Sequence, residues 1–169
     1  MERGYQAIAI NDVAERADVG RSTLYTHFSG IDDLLAHSLD RHLRTISTGC
    51  LAPELQPELV RVVKHFWQQR RSARVMLSGE PAAAITRLLV SHLDTALHEF
   101  GTIRRLPATF PVALLSVQMA SGQLAMLRTW LAGKVAAQPE DVARLLQATS
   151  SAAANAAFPT STAGRPAGD

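Results

Sequence analysis

The sequence holds a single cysteine, few aromatic residues (5%) and no uncharged apolar run of bilayer length. Cys50 alone excludes an intramolecular disulfide and fits a reducing compartment. A bilayer span needs about 18 or more apolar residues without charge, and the start MERGYQ carries no apolar signal core. The chain therefore reads as soluble and cytoplasmic, with no membrane partner. It also lacks a nucleophile elbow, a P-loop, a dinucleotide fingerprint, an HExxH run and paired cysteines. Those absences argue against an enzyme and imply no cofactor and no metal. With 169 residues, the chain suits one globular unit or a small module joined to a larger one.

What is abundant is Ala, Leu and Val, within a 47% apolar composition that favours helices packed through small aliphatic contacts. The net charge is only +2, and it is unevenly spread. Residues 1–48 contain five arginines, no lysine and seven acids, a balance of −2, and the remainder carries +4. Any nucleic-acid reading must rest on placed residues, not on a basic patch.

Apolar spacing is helical nearly throughout, and no two-residue alternation persists. Short helices are expected near 10–17, 21–27 and 31–47, the third with a stripe of Leu34, Leu35, Leu39, Leu43 and Ile46 and a capping-box-like start at Ser29 and Asp32. Gly49 to Pro53 breaks the pattern and predicts a domain junction. Beyond it, Leu59, Val62, Val63, Phe66 and Trp67 follow helical spacing. A short helix is expected over Arg71–Ser78, then a longer one through Ile85, Leu89, Leu93 and Leu97 that ends at Gly101. Residues 112–132 are apolar on almost every side, with Arg128 as the one charge. Such a helix must bury both faces, one inward and the other against a second copy. Gly133 should stop it, and Pro139-Glu140-Asp141 should start the last helix. Residues 159–169 have nothing to bury and predict a disordered tail.

The informative stretch is Ile10 to Phe28. Ala14 is small where two helices must cross, and Asp18 stands where the turn needs a left-handed residue, tolerable at roughly 1 kcal/mol. Val19 supplies an apolar plug and Leu24 an inward residue. The second helix then offers Arg21, Ser22, Thr23, Tyr25 and His27 outward, groups able to bond base edges and phosphates in a major groove.

Gly4-Tyr5, Asp12-Val13-Ala14, Ala17, Val19, Thr23-Leu24-Tyr25, His27-Phe28 and Asp33-Leu34-Leu35 together closely resemble the TetR/AcrR family of bacterial transcription regulators. Trp130 to Gly133, followed by Pro139-Glu140-Asp141, resembles that family's last two helices. The resemblance is tight over the first 45 residues and loose to about residue 157. It implies an all-α fold: a helix-turn-helix DNA-binding domain over 1–48, a helical effector-binding and dimerisation domain over 49–158, and the tail. It implies DNA contact by Asn11, Arg21, Ser22, Thr23, Tyr25 and His27, and a homodimer on a roughly palindromic double-stranded operator. By the same resemblance Leu124, Leu127, Trp130, Leu131, Val142, Leu145 and Leu146 would form the dimer interface.

Phe66, Trp67, Met76, His92 and Met119 are candidates for a pocket taking an apolar small-molecule effector, although core packing would equally explain the four apolar ones, and His92 reads first as a satisfied core histidine. Arg70, Arg71 and Arg74 read as a solvated face in preference to a second DNA site, and Cys50 as a cysteine without a redox role. The family has a long first helix before Gly4-Tyr5, where this sequence has Met1-Glu2-Arg3, so a longer natural N-terminus is expected. The family's lysine at the start of the third helix is Ile31 here, which removes a phosphate contact and predicts weak non-specific binding. The rival reading is a dimeric small-molecule-binding helical protein that does not bind DNA.

Overall fold

A computed structural model describes residues 20–28, 30–79 and 81–160. The helix expected near 10–17, Ser29 and residues 161–169 of the expected tail lie outside the described residues. Pro159 and Thr160 are exposed and non-helical. Among the described residues every regular element is a helix: α1 (Arg21–His27), α2 (Ile31–Gly49), a 3-10 turn (Pro53–Leu55), α3 (Gln56–Gln68), α4 (Arg70–Ser78), α5 (Ala82–Arg104), α6 (Val112–Leu131) and α7 (Pro139–Ala157). None is long and apolar enough to cross a membrane.

The core forms where helical stripes converge. Leu39, Leu43 and Ile46 of α2 meet Leu59, Val63 and Phe66 of α3, Leu89 and Leu93 of α5, and Leu146 of α7 in one buried cluster. This core reaches back across residue 48, because the second half of α2 is embedded in it. Each fully buried Leu or Ile contributes about 1.5–3 kcal/mol.

Polar ties then fix the helix ends. The last carbonyls of a helix have no partner within it, and here α7 supplies them. Gln147 Nε2 donates to the carbonyls of Gly49 (2.8 Å) and Ala52 (3.3 Å). Ser151 Oγ donates to the carbonyl of Cys50 at 3.1 Å. Within the core, Gln123 Nε2 donates to Ser150 Oγ at 3.0 Å and joins α6 to α7. At the surface, Lys64 and Glu140 pair at 2.6 Å between α3 and α7. Burial pushes the Cys50 thiol up to about 12, so it holds no thiolate at neutral pH.

Two boundaries differ from expectation. The N-cap position of α2 is Gly30, with no side-chain cap hydrogen bond. Helix α5 does not stop at Gly101 but runs on to Arg104, where Arg105 takes the left-handed conformation (φ 54°). The amide of Leu106 donates to Gly101 O at 3.0 Å and that of Arg105 to Thr102 O at 3.1 Å, the Schellman pattern of helix termination. Gly101 serves a different purpose. A Cβ there would stand 2.5 Å from Cε1 of Phe158, whose ring packs against Phe100 and closes that end of the core. Gly133 (φ 73°), by contrast, ends the α6 region as its left-handed backbone requires.

Gly101→Ala should therefore lower stability by about 1–3 kcal/mol through overpacking, although helix propensity alone would raise it by about 1 kcal/mol. Urea denaturation separates the two, because a stabilised variant would mean that Phe158 yields freely.

Candidate nucleic-acid interface

Helix α1 starts after the exposed Gly20, whose carbonyl accepts from the Thr23 amide at 2.9 Å. Of its described side chains, Ser22, Thr23, Tyr25, Thr26 and His27 are all exposed. Tyr25 is 55% exposed, unusual for so large a ring, and its hydroxyl is free to reach outward. Thr26 was not singled out from sequence. Its Oγ1 donates back to the Ser22 carbonyl at 2.8 Å, so that proton is already used within the helix. Arg21 opens the helix, and Asn11 lies outside the described residues. The structure thus assembles Ser22, Thr23, Tyr25 and His27 on one solvent-facing helix whose last turn carries a potential cation, His27. These are hydroxyl and imidazole groups that can bond phosphate oxygens and base edges.

What aims this helix is its junction with α2. Phe28 meets His37 edge-on, with centroids 5.4 Å apart. Further along α2, His92 Nε2 of α5 and Asp40 Oδ1 are 2.9 Å apart. Burial works against ionisation of Asp40, but hydrogen bonds from Arg44 and His92 and their positive charge outweigh it and hold the carboxyl below its usual range. His42 stacks on His65 of α3, 5.0 Å between centroids and 8° between planes. Burial, then the charge of His65, holds His42 below the usual histidine range.

The expected effector-pocket residues scatter over four helices, α3 to α6. Phe66 packs against His42, Trp67 stacks on Trp130 at 4.7 Å, His92 bonds Asp40, Met76 is half-buried and Met119 lies in the core. An apolar groove of about 430 Å³ instead lies between α6 and the start of α7, lined by Met126, Trp130, Val135, Ala137, Val142 and Leu145 among others. A second depression runs along α5 at Asp94, His98 and Ile103. Of the expected dimer residues, Leu124, Leu127, Trp130, Leu131, Val142 and Leu146 are buried in the chain's own core, and only Leu145 (51% exposed) faces out. Apolar periodicity on α6 is so broad that it does not mark which face turns inward. The outward apolar side chains are Leu114 (68%) and Val117 (50%).

Residues 1–37 match the family of bacterial regulatory proteins, tetR family. The similarity covers the first 37 of 169 residues. No solved structure matches the chain. The matched stretch ends at His37, so it includes α1 and reaches the first turns of α2. Within it α1 stands as an exposed polar helix.

The electrostatics of the α2 junction give a pH dependence. Both His42 and Asp40 have folded pKa values below their unfolded ones, so the unfolded chain binds more protons and stability rises with pH. Stability should be flat above about pH 6.5, fall below it as His42 is protonated in the unfolded chain, and fall again near pH 4 through Asp40. Urea midpoints between pH 3.5 and 8 check this. His42→Leu should remove the upper step and Asp40→Asn the lower, and an unchanged upper step in His42→Leu would reject the assignment.

Proposed function

We propose that this chain is a homodimeric transcriptional repressor that reads a roughly palindromic operator through α1 and leaves it when a small apolar effector binds the helical core. The exposed Tyr25 on a helix within the tetR-family segment carries this reading. In this reading Ser22, Thr23, Tyr25 and His27, all exposed, contact DNA, with Arg21 at the start of the helix and Asn11 preceding it.

The dimer is assigned to the outward faces of α6 and α7, with Leu114, Val117 and Leu145 as its apolar anchors and the exposed small residues Ala125, Ala148 and Ala152 between them. Such a face allows close helix approach across a two-fold axis, as an isologous interface requires. The groove beside Trp130 shares Leu145 with this face, so a second copy would wall it. An effector there would act by favouring one arrangement of α6 and α7 over another. It can move the DNA equilibrium only by its differential affinity for the two. The route to α1 runs along α2, whose far end α7 holds through Gln147 and Ser151.

A pull-down of fragmented genomic DNA near physiological salt should enrich a palindromic site. Tyr25→Ala should weaken binding to it about tenfold, the size of one lost polar DNA contact. Absence of any enriched site with a folded dimer would instead favour a ligand-binding protein without DNA affinity. Light scattering tests the dimer. Leu145→Glu is expected to give a folded monomer, whereas Leu124→Glu, aimed into the core, should abolish folding. A dimer unaffected by Leu145→Glu would place the interface elsewhere.

A further inference from the structure

Helices α2 and α3 run antiparallel in a register that several contacts define. A Cβ on Gly49 would stand 3.2 Å from that of Leu59. One or two turns toward the start of α2, His42 lies against His65 and Phe66. Helix α3 ends at Gln68, and α4 follows with the Arg70 guanidinium 5.1 Å from the Trp67 ring, so the start of α4 lies toward the start of α2. His37 is the residue that Phe28 touches at the end of α1. The start of α4 therefore lies at the end of the core to which the DNA-facing helix is attached.

Helix α4 turns a cationic side outward there. Ala73 and Leu77 are buried, and Arg70, Arg71 and Arg74 are exposed. Arg70 lies over the ring of Trp67 (5.1 Å), itself stacked on Trp130, which holds the guanidinium in place. None of the three forms an ion pair among the described residues. On the adjoining surface Glu140 is engaged elsewhere, with Lys64. From residue 61 to 87 the sequence has six cations and one acid, Glu80, which lies outside the described residues. Meanwhile the first 48 residues carry a net −2, a poor balance for holding a polyanion.

We propose that Arg70, Arg71 and Arg74 form a second, sequence-independent DNA contact, binding backbone phosphates that flank the bases facing α1. This rests on the proposed DNA-binding function and adds the source of its electrostatic affinity. Guanidinium groups suit phosphate through paired, charge-assisted hydrogen bonds, and each neutralised phosphate releases about 0.9 counterion.

The test measures binding of the full chain by fluorescence anisotropy, to the pulled-down operator duplex and to an unrelated duplex, from 50 to 200 mM salt. It compares the native chain with the triple variant Arg70→Gln, Arg71→Gln, Arg74→Gln and with the matching triple lysine variant. The glutamine variant should lower the slope of log affinity against log salt by about 2–3, equivalent to a salt-induced loss about 16- to 64-fold smaller over that fourfold range. It should weaken both duplexes alike and leave the melting temperature unchanged, and the lysine variant should retain the slope. An unchanged slope overturns the proposal. So does a lowered melting temperature with an unchanged slope, which would mean that the arginines pair with the acidic N-terminal segment of the chain. If the native chain binds neither duplex, the DNA-binding function itself fails and this contact with it. If the native chain binds and only Tyr25→Ala matters, the function stands and the arginine contact alone is rejected.

Discussion

The structure depends on the way α2 is gripped. Its first turns carry α1, and its second half is part of the hydrophobic core through Leu39, Leu43 and Ile46. A helix of 19 residues rises about 28 Å, so one end can be fixed by packing while the other positions the exposed α1. Without that grip α1, only seven residues long, would have little to orient it, since isolated helices of that length are marginal in water.

Burial alone would leave α2 free to slide, because apolar contacts have little directionality. The polar ties remove that freedom. Asp40 meets His92 near the middle, and Gln147 and Ser151 hold the carbonyl end. These partners come from α5 and α7, so a displacement of either helix shifts or strains a hydrogen bond on α2. Under the proposed function this is how occupancy of the core becomes a change in the aim of α1. The stacked His42 and His65 occupy the α2–α3 contact, where an added positive charge would be poorly solvated.

The two ends of the core differ in character. At one, Phe100 and Phe158 close over Gly101, with Arg104 lying 3.9 Å from the Phe100 ring centroid. At the other, α4 presents arginines beside the junction with α1. The +4 carried beyond residue 48 is thus not a diffuse surface charge, since three of its arginines stand together on one side of a nine-residue helix.

Much of this was legible in the sequence because it depends on local rules. Helical periodicity located α2 to α7 within a few residues, Gly133 and Pro139 marked real ends, and the Thr23-Leu24-Tyr25 run identified α1 as the outward helix. Other features depend on which side of a helix meets which neighbour, and local spacing carries no record of that. Gly101 reads as a helix stop until Phe158, 57 positions later, is seen to need its missing side chain. Leu124, Leu127, Trp130 and Leu131 read as a partner face on a helix apolar all round, and tertiary packing buried them within one chain. His92 reads from sequence as a core histidine before a pocket residue, but its partner is legible only once α2 brings Asp40 to it. The arginines of α4 read as a solvated face in sequence, and only the antiparallel register of α2 and α3 sets the start of α4 toward the α1 end of α2. The helices of the described residues, most of their ends and the polar character of α1 follow from sequence, because backbone propensity and periodicity are local. The tertiary structure alone decided which faces are buried, which histidine is paired and where the positive charge gathers, because each is set by residues far apart in the chain.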